Sequence, residues 1–119
     1  MSRSRVLILA AVVVAFLATF GYLVGRNTGG GGHPVAIDIT VTGSLMSPEA
    51  PSARQGDRVT MTITADRIEE IHLHGYDIPF AVLAAGGRVT HSFTADRTGG
   101  FELEIEDSGT HLGQFQVLP

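Results

Sequence analysis

The sequence predicts an all-β fold, a Greek-key antiparallel β-sandwich, preceded by one N-terminal transmembrane helix. Three observations predict this organisation. Short segments after residue 34 alternate apolar and polar side chains, which is typical of half-buried strands. Turn signals rich in glycine, proline, serine and aspartate separate these segments, and no amphipathic helical pattern lies among them. A long apolar segment near the start has the length of a membrane-spanning helix.

The first element is the apolar segment from Val6 to Val24. A helix of this length extends roughly 28 Å, close to the thickness of the hydrocarbon core of a bilayer. Arg3 and Arg5 precede it, so the positive-inside tendency predicts a cytoplasmic N-terminus at 1–5 and a transmembrane or signal-anchor helix at 6–25. The C-terminal domain is then on the extracytoplasmic side of the cell membrane. Cleavage as a signal peptide, which would release a secreted domain, is the alternative.

A glycine-rich linker is predicted at residues 26–34, and it contains four consecutive glycines. Such runs behave as flexible coil, so the linker is expected to hold a domain of residues 35–119 away from the membrane surface. The chain has no cysteine, so this domain must be stabilised by its core without disulfides.

Charge limits the partners of the domain. All twelve carboxylates follow the apolar segment, the chain has no lysine, and only five arginines follow residue 26. A domain with this excess of negative charge is not expected to bind nucleic acid. The expected partners are the membrane, through the N-terminal helix, and an unidentified membrane protein.

Six or seven strands are predicted in the domain. They lie at 35–42, 59–64, 70–74, 78–83, 89–94, 101–106 and around 115–117. A loop rich in serine, proline and glycine is predicted from 43 to 57. Pro79 cannot donate a ladder hydrogen bond, so the fourth strand is expected at a sheet edge. A chain of about 85–90 residues with this spacing suits one Greek-key sandwich.

Two histidines one residue apart, His72 and His74, are the most informative motif of the domain. Side chains of a strand alternate between its faces, so both imidazoles point the same way and can bind one metal ion. His91 is interpreted as a partly buried strand histidine. The row Glu102, Glu104 and Glu106 is interpreted as a solvated strand face that also discourages edge pairing.

Three motifs between Ile71 and Val117 resemble those of a cupredoxin domain in their order and spacing. The first is His74-Gly75-Tyr76 after the middle strand. The second, at 88–101, is a strand followed by an Ala-x-x-x-Gly turn and an aromatic residue, and the third is the closing strand at 112–117. The sequence is most similar to small exported cupredoxin-like proteins and to the copper domain of nitrous oxide reductase. The resemblance implies that His74 is the first copper ligand.

The sequence departs from this family in the loop between the last two strands. A cupredoxin places cysteine, then histidine and often methionine there, whereas Glu106 falls at about the cysteine position and the chain has no thiol. Electron transfer of the cupredoxin type is therefore not expected. The resemblance implies that the loop 106–111 lies beside the end of the strand that carries the two histidines. The residue types there predict a nitrogen-rich site for Cu(II) or Zn(II) at one end of the sandwich, with methionine as a soft ligand for Cu(I). The proposed ligands are His72, His74, His111, Glu106, Asp107 and Met46.

Two functions remain open at this point. In the first, a membrane-anchored exported cupredoxin-like domain binds copper through its histidines for metal handling, with no other cofactor. In the second, the domain is a metal-free cupredoxin-like module that acts as a partner-binding or accessory domain in the cell envelope, and its histidines are structural or vestigial. Enzymatic activity is not expected, because no serine lies in a nucleophile-elbow context and the glycine run lacks the features of a phosphate-binding loop.

Overall fold

A computed structural model describes residues 32–119. The predicted cytoplasmic N-terminus, the transmembrane helix and most of the linker lie outside the described residues. The nine strands of the described part are β1 Pro34–Thr42, β2 Leu45–Ser47, β3 Ser52–Arg54, β4 Arg58–Ala65, β5 Glu69–Leu73, β6 Ile78–Val82, β7 Arg88–Thr94, β8 Gly99–Ile105 and β9 Thr110–Leu118. Within residues 32–119 no helix is long and apolar enough to span a membrane.

The strands form two sheets, as the all-β prediction requires. One sheet has four strands in the order β2-β1-β4-β7, and the other has five in the order β3-β9-β8-β5-β6. The prediction of purely antiparallel pairing is wrong at two places, because β1 pairs with β4 and β3 pairs with β9 in parallel. A parallel pair needs a crossover between its strands, and the segment between β1 and β4 provides one.

The segment 43–57, predicted as a loop, contains β2 and β3. The strand β2 turns back along β1, whereas β3 joins the last strand of the other sheet. Each has three residues, which is too short for alternation to be recognised in the sequence. The segment therefore links the two sheets and closes one side of the core.

Alternation along each strand sends one set of side chains into the space between the sheets. In β5, Ile71 and Leu73 are completely buried, and Phe115 of β9 is as well. Because neighbouring side chains on a strand point to opposite faces, His72 lies on the outer face of the five-stranded sheet. The core thus fixes which polar residues form that outer face.

The strand order tests two predictions about which strands lie at a sheet edge. The edge position of β6, which contains Pro79, is confirmed by the strand order. The proposal that the glutamate row discourages edge pairing is wrong, because β8 lies inside its sheet between β9 and β5. The glutamates of β8 therefore have neighbouring strands, β9 and β5, on both sides.

A β-bulge interrupts the pairing of β8 with β9. Leu103 pairs with Gly113, but the next residue, Glu104, pairs with His111, so that Leu112 is the extra residue. Strict alternation back from Phe115 would point His111 inward and Leu112 outward. The bulge reverses this order: Leu112 is buried and His111 is exposed.

Candidate metal centre

The outer face of the five-stranded sheet carries three imidazoles and two carboxylates that we call the outer-face cluster. Its members are His72, His74, His111, Glu102 and Glu104. His72 of β5 is the cross-strand partner of Glu104, which is in turn the partner of His111. The backbone N–H of His74 donates to the carbonyl of Glu102, so these two residues also lie side by side on neighbouring segments of the sheet. Three adjacent strands thus contribute to one group.

Close contacts join the members of the outer-face cluster. The Nε2 atom of His74 lies 3.3 Å from Oε1 of Glu104 and 3.8 Å from Oε1 of Glu102. Glu102 also contacts His111, whose Nδ1 is 2.7 Å from Oε2. The rings of His72 and His74 have centroids 4.6 Å apart. Glu102 therefore bridges two imidazoles.

Three of these side chains lie close enough to one another to hold a metal ion. One ligand atom from each of His74, Glu102 and Glu104 lies within 4.8 Å of the other two. Ligand atoms about 2.1 Å from a tetrahedral ion are roughly 3.4 Å apart, so small side-chain rotations bring the three atoms to a common ion. All three side chains are half-buried, which lets such rotations occur without opening the core.

The predicted ligands are divided among three places. His72, His74 and His111 lie on the outer face rather than at the sandwich end, and Glu106 joins them with Oε2 3.7 Å from Nδ1 of His72. Asp107 instead lies in the β8–β9 turn, where it lines a pocket at the end of the sandwich.

Met46 lies in the hydrophobic core at 4% exposure, so the sheet separates it from the outer-face imidazoles. The second methionine of the described residues, Met61, is completely buried. No sulfur atom of residues 32–119 is therefore available on the outer face.

Sequence reasoning missed Glu102 and Glu104 as ligands because it assigned their row to solvent. The sequence did contain a signal that these glutamates share a face with the histidines, because Leu73 and Leu103 are both apolar residues flanked by polar ones. Once these two leucines pair, their polar neighbours share the opposite face. The interpretation of His91 is confirmed: it is half-buried on β7, and its ring meets Phe80 edge-on at 4.9 Å.

The donor set determines which metals the outer-face cluster suits. Imidazole nitrogen and carboxylate oxygen fit Zn(II) and Cu(II), whereas Cu(I) is selected by thiolate and thioether sulfur. A blue copper centre requires a cysteine thiolate, and this chain has no cysteine. The arrangement can hold a divalent ion, but it lacks the ligand that tunes copper for fast electron transfer.

Solved structures of copper-binding domains and blue copper proteins share this fold, and the two described sheets are consistent with a cupredoxin-like β-sandwich. The metal-binding domain of the Cu(I)-exporting P-type ATPase CopA from Streptococcus pneumoniae D39, solved with Cu(I), matches with a TM-score of 0.62 and 16% identity. The match covers 72% of this chain and 87% of that one. Auracyanin A, a blue copper protein from Chloroflexus aurantiacus, matches with a TM-score of 0.57 and 14% identity, over 71% of this chain and 98% of that one.

The fold also matches one part of a longer protein. A laccase from Botrytis aclada matches with a TM-score of 0.58 and 16% identity, over 75% of this chain but only 23% of its own. No protein-family model matches the sequence, and no characterised protein matches it in sequence. At these identities the likeness shows the fold alone, and the more specific resemblance to nitrous oxide reductase stays a prediction.

Proposed function

We propose that this chain is a metal-handling domain that binds Cu(II) on the outer face of its five-stranded sheet. The observation that carries the proposal is the convergence of His74, Glu102 and Glu104, with ligand atoms within 4.8 Å of one another. Fold likeness to copper-binding domains supports it. His72 and His111 supply further nitrogen atoms beside these three side chains.

The preference for Cu(II) follows from the ligands and from the general order of metal affinities. Divalent copper binds nitrogen and oxygen sites more tightly than zinc or the earlier divalent ions of the series. Cu(I) is disfavoured because both described methionines are buried in the core. Binding and release of a divalent ion, rather than electron transfer, is the proposed task.

A chelator competition experiment on the full-length chain in detergent tests this proposal. Cu(II), Zn(II) and Cu(I) are titrated into the wild type, a His74→Ala/Glu104→Gln variant and a His33→Ala control. Loss of a second-shell partner typically weakens metal binding about 10- to 100-fold, so loss of two ligands should weaken Cu(II) binding by at least about 100-fold. His33 is exposed and only its backbone atoms bond to the domain, so the control should bind as the wild type does.

The expected result is one tightly bound Cu(II) per chain, with nitrogen hyperfine structure in the electron paramagnetic resonance spectrum that changes in the double variant. Weak binding, or equal affinity in the wild type and the double variant, contradicts the proposal.

A metal-free accessory domain is the second candidate function, and one observation favours it. Each imidazole of the outer-face cluster already has a carboxylate partner: Asp77 for His72 at 3.0 Å, Glu104 for His74 and Glu102 for His111. These pairs can hold β5, β8 and β9 together without any ion. The same titration separates the two functions, because this candidate requires that Cu(II) binding be weak.

We also propose that the apolar segment 6–24 anchors the domain on the extracytoplasmic side of the cell membrane. Its length, its lack of charge and the preceding arginines support this proposal. Protease added outside intact spheroplasts should digest the C-terminal domain while the chain remains in the membrane fraction. Recovery of the domain in the soluble secreted fraction would favour signal cleavage.

A further inference from the structure

Three turns converge at one end of the sandwich and border an open pocket that the outer-face cluster does not use. The β1–β2 turn contributes Gly43 and Ser44, the β4–β5 turn contributes Arg67 and Ile68, and Asp107 comes from the β8–β9 turn. The pocket has a volume of about 550 Å³. Pockets of roughly 300–1,000 Å³ are typical of sites for small molecules.

Glu69 is the distinctive group of this pocket. It is the first residue of β5 and shares the inward-facing parity of Ile71 and Leu73, so its side chain enters the space between the sheets where it lines the pocket. Glu69 is only 7% exposed, and its Oε1 atom has no hydrogen-bond partner among the described residues. Native proteins rarely leave a buried carboxyl oxygen unpaired, because the lost hydration is costly.

The positive charge of Arg67 does not neutralise Glu69. Arg67 lies 3.6 Å through Nε from Oδ1 of Asp66, whose carboxylate also accepts the backbone N–H of Gly43. Burial raises the pKa of the Glu69 carboxyl, and the positive charge of Arg67 only partly opposes this effect. Asp66 and Asp107 add negative charge around the same group. The pocket therefore has an excess of negative charge and an unsatisfied acceptor.

The remaining lining combines hydroxyl groups with apolar walls. Ser44, Ser108 and Thr110 supply hydroxyls, of which the last two are 2.7 Å apart and bonded to each other. Ile68 and Ile105 supply apolar surface. A bare divalent ion fits poorly, because only two carboxylates line a space far larger than an ion. An organic cation with an apolar body matches both the charge and the walls.

We propose that this pocket binds the primary ammonium group of an alkylamine, with Glu69 as the carboxylate that accepts its hydrogen bonds. Asp107 attracts the cation at the pocket mouth, and the two isoleucines contact the alkyl chain. The ammonium group comes either from a free amine or from a lysine side chain of a protein partner. The pocket is separate from the outer-face cluster, so this proposal does not depend on copper binding.

Calorimetric titration of the full-length chain in detergent tests the proposal, in phosphate buffer with a metal chelator present. The probes are n-butylamine, its neutral isostere n-butanol, and Nα-acetyl-lysine N-methylamide. We expect saturable binding of both amines and none of the alcohol. Tighter binding of the lysine derivative identifies a protein lysine as the source, and tighter binding of butylamine identifies a free amine.

Two variants locate the binding site. A hydrogen bond to a charged group typically contributes enough that its loss weakens affinity by about 10- to 100-fold, so Glu69→Gln should weaken amine binding by that factor. Glu70→Gln changes the next residue, which points to the opposite face of β5, and should bind as the wild type does. Equal affinity in Glu69→Gln and the wild type overturns the proposal.

The comparison of amine with alcohol uses only the wild type, so it stands even if a variant fails to fold. Equal binding of butanol and butylamine overturns the role of charge. In a separate titration without chelator or phosphate, displacement of the amine by micromolar Ca²⁺ would also overturn the proposal, since it would identify an oxygen-lined metal site instead.

Discussion

Substitution of Gly75 by alanine tests how the turn after His74 is built. Gly75 has a φ of +86°, and a Cβ atom added there would lie 2.9 Å from Cε1 of Phe101 and closer still to Cδ1. Phe101 cannot move freely, because the Tyr76 ring packs against it with centroids 4.7 Å apart and the Arg97 guanidinium lies 5.6 Å from its ring centroid. The substitution therefore adds backbone strain and a steric overlap.

The two costs can be estimated separately. An L-residue in the left-handed region costs about 1–2 kcal/mol. Forcing a methyl group into a packed aromatic cluster costs about 1–3 kcal/mol. Gly75→Ala should therefore lower the free energy of unfolding by about 2–5 kcal/mol, a large part of the roughly 5–15 kcal/mol typical of a domain.

Gly86→Ala is the matched control. Gly86 has a φ of +78°, but nothing lies within 4 Å of the added Cβ, so only the backbone cost of about 1–2 kcal/mol applies. Urea denaturation followed by circular dichroism measures both variants. The steric part should also disappear when Gly75→Ala is made in a Phe101→Ala background. If Gly75→Ala and Gly86→Ala cost the same, the overlap with Phe101 carries no free energy and the reasoning is refuted.

Three further predictions concern the core and the buried carboxylates. Phe115→Ala should lower the free energy of unfolding by about 3–5 kcal/mol, because the ring is completely buried, and a loss below 1 kcal/mol in urea denaturation would contradict this. Asp57→Ala should cost about 2–3 kcal/mol in the same assay, since its carboxylate accepts the backbone N–H groups of His33 and Arg54, and an unchanged midpoint would count against it. Glu69→Gln should stabilise the domain at pH 7 and have little effect below pH 4. Burial raises the pKa of Glu69 above its ordinary value of 4.5. The contribution of protonated Glu69 to the stability of the wild type is therefore fully present below that value, and it is lost as the pH rises through the raised pKa. Parallel pH–stability curves for the two proteins would contradict this explanation.

The sequence predicted the strands of the fold well where alternation was long enough to be recognised. Residues 35–42 of β1 alternate in the structure as they do in the sequence, and the edge position of β6 followed from Pro79. The three-residue strands β2 and β3 were missed, because so few residues carry no measurable period. Their absence from the prediction also concealed the crossover that makes β1 and β4 parallel.

The candidate metal site was predicted only in part. His72 and His74 share a face because they lie two residues apart on one strand, which is a local property of the chain. Recognition of Glu102 and Glu104 required the pairing of β5 with β8, which depends on cross-strand hydrogen bonds between segments about 30 residues apart. Met46 shows the opposite error, because the residue predicted to be a soft metal ligand is buried in the core of the fold.

By itself the sequence determined the all-β class, the shared face of the two neighbouring histidines and the lack of a thiolate for electron transfer. His111 was also proposed as a ligand, but only the tertiary structure shows how its side chain reaches the same face. Alternation along β9 points its side chain into the core, and the bulge at Leu112 reverses that direction. A bulge is set by the register between two strands and not by the residues of one, so the composition of the outer-face cluster is fixed only when the sheet forms.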